Sequence, residues 1–172
     1  MTKVITGKVR MSYANVFEPK SINGSEPKFS VSLIIPKEDK TTIEKINKAI
    51  EQAKKEGISK LGGKIPANLK TPLRDGDVDR PDDTAYANSY FINANSTIRP
   101  GIVDENLQPI INPQELYSGC YGRASLVFFA YNAQGNKGIA CGLQNLQKLE
   151  EGQPLGGRAR AEDDFSMDNI LG

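Results

Sequence analysis

The sequence predicts a mainly β chain with a single helix. Three observations carry this. Short segments of alternating apolar and polar residues recur along the chain and are separated by Gly, Pro, Asn and Asp clusters, as strands and their turns are. The longest strand-type run, Tyr117 to Tyr131, has two unlike faces, and only one segment, Thr41 to Glu56, repeats its apolar residues with helical period.

The first strand is expected over Val4 to Tyr13, with Ile5, Val9, Met11 and Tyr13 on one side and Lys8, Arg10 and Ser12 on the other. Asn15 to Glu26 contains Pro19, Asn23 and Gly24 and reads as a loop or hairpin connection. Lys28 to Ile35 alternates again, with Phe29, Val31, Leu33 and Ile35 inward, and Pro36 ends it. In the helix, Ile43, Ile46, Ile50 and Ala53 form a narrow apolar stripe. Thr41 with Glu44 makes a capping-box pattern, and Gly57 is the stop. The helix lysines read as an ordinary solvated face.

Gly57 to Ala87 is irregular and rich in Gly, Pro, Lys and Asp. Asp75, Asp77 and Asp79 open like a calcium loop, but Arg80 replaces the turn glycine and Tyr86 stands where the bidentate glutamate belongs. A solvated acidic loop is the better reading, and no metal is expected. A strand follows over Asn88 to Thr97, with Tyr90 and Ile92 on one face and Phe91, Asn93 and Asn95 on the other. A short strand with turns covers Ile102 to Glu115.

The Tyr117–Tyr131 run places Leu126, Phe128 and Ala130 on a core face. Its other face carries Arg123, Ser125, Val127, Phe129 and Tyr131, a mixture of cation, hydroxyl and rings unlike a plain solvent face. Gly119 and Gly122 precede the apolar part, where a bulge or bend lets a strand curl. Asn132 to Gly138 is a turn, and Gly138 to Leu146 a last strand carrying Ile139, Cys141 and Leu143. About five strands and one helix suit an OB-fold five-stranded β-barrel with long loops. It is expected over residues 1–150, with 151–172 as a flexible linker and disordered acidic tail.

Composition narrows the function. The chain has 172 residues and no histidine, which removes the commonest general base and zinc ligand. Cys120 and Cys141 lack metal-type spacing and read as buried thiols. No Walker loop, no Gly-x-Ser-x-Gly and no assembled nucleophile and base are present, so the chain is not expected to be an enzyme or to carry a cofactor. No apolar run approaches the roughly 18 residues of a membrane span, and the N-terminus lacks an apolar signal region, so a cytosolic protein without membrane partners is expected. All 22 basic residues precede Glu162, whereas four of the 21 acids lie at or after it. The body is therefore net +5 and the last eleven residues net −4. A basic body with an acidic end points to an anionic partner for the body and a tail able to compete with it.

Aromatics and cations interleave as a sequence-blind binder of single strands requires, with rings for stacking and cations for phosphates. The candidate DNA contacts are Arg10, Lys28, Arg99, Arg123 and Lys137 on phosphates, and Tyr90, Phe129 and Tyr131 under bases. The candidate tail residues are the acids Glu162, Asp163, Asp164 and Asp168, with Phe165, Ile170 and Leu171 as apolar docking points for partner proteins.

Further motifs set the chain in a family. FINANS at Phe91–Ser96, IVDEN-x-QPI at Ile102–Ile110, YSG-x-Y-x-R at Tyr117–Arg123, the run GIACGLQNLQK from Gly138 and LGGR-x-RAEDDF at Leu155–Phe165 together resemble bacteriophage single-stranded DNA-binding proteins. The resemblance spans nearly the whole chain. It implies an OB fold, non-specific binding of single-stranded DNA and an acidic tail that meets replication or recombination proteins. It further implies work in phage DNA replication, recombination and repair in the cytoplasm of the infected bacterial host. Many single-strand binders end in phenylalanine, whereas here Phe165 is internal and the chain ends Ile170-Leu171-Gly172. The sequence leaves a homodimer open. A non-catalytic structural β-barrel protein of a virion is the alternative reading; it explains the strands but not the division of charge.

Overall fold

The computed structural model describes residues 2–21 and 24–155. They form eight strands: β1 (Thr2–Ile5), β2 (Val9–Lys20), β3 (Lys28–Pro36), β4 (Leu73–Asp75), β5 (Ser89–Ser96), β6 (Gly101–Val103), β7 (Tyr121–Ala133) and β8 (Asn136–Glu150). Two helices, α1 (Lys40–Glu56) and α2 (Gly76–Asp79), and a 3-10 turn at Thr84–Tyr86 complete the set. The mainly β architecture is as the sequence predicts, with shorter strands added around five long ones.

Those five form a circuit. β7 pairs with β2, β2 with β3, β3 with β5, β5 with β8, and β8 returns to β7. Two links are slight. β2 meets β7 over Val9↔Gly122 and Arg10↔Tyr121, and β5 meets β8 through one parallel pair, Asn95↔Gly142. The barrel is thus not strictly closed, and its weakest seam lies between β5 and β8. Around this circuit β1 adds to β7, β4 to β5 and β6 to β8.

The β7–β8 hairpin runs from Tyr121↔Glu150 to Ala133↔Asn136 and turns at Gln134-Gly135, both at positive φ. Period-two alternation drives Leu126, Phe128 and Ala130 into the core, where they meet Ile139, Cys141 and Leu143 from β8. Both cysteines are buried free thiols, and burial pushes both thiol pKa values up. A bulge between Ser125↔Asn145 and Leu126↔Leu143 bends the hairpin.

Several local expectations change. The first expected strand divides at Thr6-Gly7-Lys8 into β1 and β2. Thr6 turns inward and its Oγ1 accepts from the Ala124 N–H, so the alternation is broken there: Val4 is buried and Ile5 exposed. β2 then continues to Lys20 instead of looping from Asn15, because it stays paired with β3 as far as Lys20↔Lys28. A register shift between Ser12 and Asn15, with Tyr13 at φ 46°, throws Tyr13 outward although the pattern sets it with Val9 and Met11.

The helix is capped by Asp39, not Thr41; the Asp39 carboxylate accepts from Thr42 N–H at 3.2 Å. Thr42 is buried and accepts from Gly7 N–H at 2.9 Å, which ties the helix start to the β1–β2 break. Ile46, Ala49, Ile50 and Ala53 bury the helix stripe, with Ile43 half-buried beside it. Gly57 closes the helix at φ −100°, so its role is space and not a left-handed turn: a Cβ there would overlap the Cβ of Ala130 on β7. Gly57→Ala is expected to destabilise the fold by roughly 1–3 kcal/mol by forcing α1 off β7. Chemical denaturation checks this, and a midpoint equal to wild type would show that the helix end shifts freely.

Candidate nucleic-acid interface

Alternation along β7 and β8 builds a second face behind the core. Arg123, Ser125, Val127 and Phe129 stand on it, and the register sets Gln147, Asn145, Gly142 and Ala140 beside them. Gly142 has no side chain to fill the space: a Cβ there would lie 2.8 Å from Val127 Cγ2 and 3.4 Å from Phe129 Cε1. The bare backbone lets both side chains lie flat over β8, next to the β5–β8 seam.

A groove of about 660 Å³ opens along this seam. Val127 and Phe129 form its floor, with Lys28, Asn95, Arg99 and Asn145 among its walls. Lys28 and Arg99 are exposed and make no ion pair with the described residues. Arg99 lies 5.7 Å over the Phe29 ring and also borders a neighbouring groove of about 680 Å³ lined by Phe17, Ile111 and Tyr117. Arg123 is exposed on the same face of β7, its Nε donating to Gln147 Oε1 at 2.6 Å. The seam thus gathers cations, amides and a half-buried ring, an arrangement able to bind a polyanion that carries flat apolar groups.

Of the eight sequence-derived contacts, Lys28, Arg99 and Phe129 come together in this groove, and Arg123 shares the Phe129 face. Tyr131 stands two residues beyond Phe129 on that face. Its ring lies across Gly138, where a Cβ would meet the Tyr131 hydroxyl at 2.6 Å and the Lys70 carbonyl at 2.8 Å.

The other three stand elsewhere. Lys137 pairs with Asn132 on the opposite face of the hairpin, and its ammonium donates to the Leu61 carbonyl at 3.1 Å. Arg10 stacks on Tyr121 at 5.4 Å and donates to the carbonyls of Gly119 (3.1 Å) and Gln153 (2.7 Å). Tyr90 shares its face of β5 with Ile92 and Ala94, at the edge beside α1, in a depression of about 690 Å³ where lysines alternate with Glu44 and Glu51. The tail candidates Glu162, Asp163, Asp164, Phe165, Asp168, Ile170 and Leu171 lie outside the described residues.

Arg10 belongs to a strap. Tyr117 Oη bonds Glu151 Oε2 at 2.6 Å and accepts from Gly152 N–H at 3.0 Å, and Leu155 N–H donates to the Ser118 carbonyl at 2.8 Å. The chain after β8 is therefore held along 117–119, and Leu155 packs against a small second core of Ile34, Tyr86 and Phe91.

The acidic loop serves the protein itself. Asp75 caps α2, and Lys37 bridges Asp75 and Asp77 at 2.9 Å each while lying 5.2 Å over the Tyr90 ring. Asp79 pairs with Arg74 at 2.8 Å. No three metal-ligating side chains converge among the described residues. Sequence reasoning passed over Asn95, Asn145 and Gly142. The NANS and CGLQN runs that hold them were visible, but not that they face each other across a seam.

A family model described as Enterobacter phage Enc34 ssDNA-binding protein matches residues 2–170. "Putative protein p50" of Acyrthosiphon pisum secondary endosymbiont phage 1 is 32% identical over 177 residues, covering 96% of this chain and 95% of that protein. Among solved structures, the single-stranded DNA-binding protein from bacteriophage Enc34 in complex with ssDNA superposes with a TM-score of 0.77 at 26% identity, over 90% of this chain and 89% of that one. The single-stranded DNA-binding protein gp2.5 encoded by bacteriophage T7 shares the fold, with a TM-score of 0.62 at 13% identity over 93% and 98% of the two chains.

The Lys37 bridge gives a testable electrostatic consequence. Hydrogen bonding to Lys37, then to the Asn88 N–H, holds the Asp77 carboxyl below the usual carboxylate range. A carboxyl depressed on folding adds stability at pH above its unfolded pKa, and this is lost as pH falls through the folded value. An NMR pH titration is expected to find Asp77 titrating low in the wild type and shifted back up in Lys37→Met. An Asp77 pKa unmoved by that substitution would refute the bridge.

Proposed function

This chain belongs to the family of the Enterobacter phage Enc34 ssDNA-binding protein, and on that premise we propose that it binds single-stranded DNA without sequence preference along the β5–β8 seam. The observation that carries this reading is the convergence of Lys28, Arg99 and Phe129 on one open groove. Lys28, Arg99 and Arg123 take phosphates, and Phe129, with Tyr131 beyond it, lies under bases. Asn95 and Asn145 offer amide groups to whichever base edge arrives, which suits a binder that does not read sequence. The protein does no chemistry; it covers exposed strands during phage DNA replication, recombination and repair in the cytoplasm of the infected bacterial host.

Residues 1–150 act as the OB-type binding domain and 151–172 as its linker and tail. The strap supports a competing role for the acidic end. Glu162 lies seven residues beyond Leu155, within about 25 Å of fully extended chain. From there Glu162, Asp163, Asp164 and Asp168 reach the basic body when DNA is absent. Once displaced, they and Phe165, Ile170 and Leu171 meet replication or recombination proteins.

Fluorescence anisotropy of labelled oligo-dT, with matched duplex as competitor, tests the reading. Tight binding that resists duplex is expected, and Phe129→Ala is expected to weaken it by about 1–3 kcal/mol while circular dichroism shows the fold retained. No binding of oligo-dT at low salt, with or without the tail, would sink the proposal. Deleting residues 162–172 is expected to tighten binding, most at low salt where charge competition is least screened. Equal affinities with and without those residues at low salt would remove the competing role.

A further inference from the structure

The second small core carries a cation that the seam does not use. Arg80 follows α2, its backbone fixed by its N–H donating to the Gly76 carbonyl and its carbonyl accepting from the Asp83 N–H. Its guanidinium carbon lies 5.0 Å from the Tyr86 ring centre, 5.1 Å from Phe91 and 5.4 Å from Tyr13. Tyr86 and Phe91 are buried and meet edge to face at 5.1 Å, so they form a rigid floor. Tyr13, thrown outward by the β2 bulge, is 58% exposed and bears on the guanidinium from the solvent side.

Among the described residues this guanidinium has no anion. It makes no hydrogen bond or ion pair with the described residues, and its Nε is buried without a partner. Of the nearby acids, Asp75 and Asp77 are committed to Lys37, Asp79 to Arg74 and Asp83 to the Ala85 N–H, while Asp82, two residues on, is exposed and forms no ion pair with the guanidinium. A flat cation held on rings and lacking an acceptor is set up for an oxyanion, since guanidinium donors match phosphate oxygens.

The position is on the outer path of the proposed DNA. Phe91, Asn93 and Asn95 share one face of β5, and Asn95 lines the seam groove. Phe91 is four residues from Asn95, about 13 Å along the strand. Asn93 is exposed between the two places, and Asn95 is exposed at the groove end.

We propose that Arg80 and Tyr13 form a second DNA subsite, in which Arg80 takes one backbone phosphate and the open face of Tyr13 stacks one base. This rests on the single-strand reading above and extends it from a groove to a path across the outer face of β5. The residue that breaks the calcium-loop pattern thus binds the anionic ligand.

The test uses the full chain, labelled oligo-dT and a salt series. Arg80→Gln is expected to weaken binding about tenfold at low salt and to flatten the dependence of log affinity on log salt by about 0.7, the share of one single-strand phosphate. Tyr13→Leu is expected to weaken binding several-fold and leave the slope unchanged, since it removes a ring and no charge. A ring cluster that merely braces the loop would lower the Arg80→Gln melting temperature without moving the slope, and that result overturns the proposal. If Arg80→Gln does not fold, Tyr13→Leu decides, and wild-type affinity in it overturns the subsite. Loss of affinity in Phe129→Ala with none in Arg80→Gln or Tyr13→Leu would refute this subsite and leave the seam standing. Failure of the wild type to bind oligo-dT would instead refute the single-strand reading.

Discussion

The structure depends on the long antiparallel pairing of β7 with β8, bent by its bulge but running from Tyr121↔Glu150 to Ala133↔Asn136. Fixing that register decides, residue by residue, which side chains are core and which are site. Phe128 is buried and Phe129 half-buried because they are neighbours on one strand. The same hairpin offers its edges to β1, β2, β5 and β6, and its core face to α1. A one-residue slip would put Phe129 and Arg123 inside and Phe128 outside. The apolar face therefore specifies the site indirectly, through the energy that burial gives to one register over the other.

Much of the barrel was legible because period-two and period-3.6 patterns are direct readouts of burial. Leu126, Phe128 and Ala130 announce their face, and so do Val31, Leu33 and Ile35. The α1 stripe is equally plain. Legibility stopped where a tertiary contact overrode the local pattern. At the start of α1, Asp39 outside the Thr41–Glu44 pattern takes the cap, and Thr42 is tied to the Gly7 N–H, thirty-five residues away. Tyr13 leaves its expected face because a bulge, invisible in composition, adds a residue to β2.

The candidate site was legible by face but not by location. Phe129 and Arg123 could be grouped because they share a strand, and Lys28 and Arg99 are near it only through the order of strands around the barrel. Tyr90 was already set by alternation with Ile92 on β5, the side that packs inward. Lys137 and Arg10 look like free cations in sequence, yet each holds backbone carbonyls of distant loops. In the sequence Arg80 counts only for breaking the calcium-loop pattern, since nothing local reveals that Tyr13, Tyr86 and Phe91 converge on it.

The β5–β8 seam has a mechanical meaning. A ring of strands joined by many hydrogen bonds is stiff, and this ring has one link made through a single residue pair. Any change in the girth of such a ring would be taken up first at that link. The groove lies along the same link, between Asn95 on one bank and Gly142 on the other. Purines and pyrimidines differ in size, and a rigid slot would favour one of them. A compliant bank would adjust to each, so the proposed indifference to sequence would follow from missing backbone pairing as much as from the side chains that line the gap.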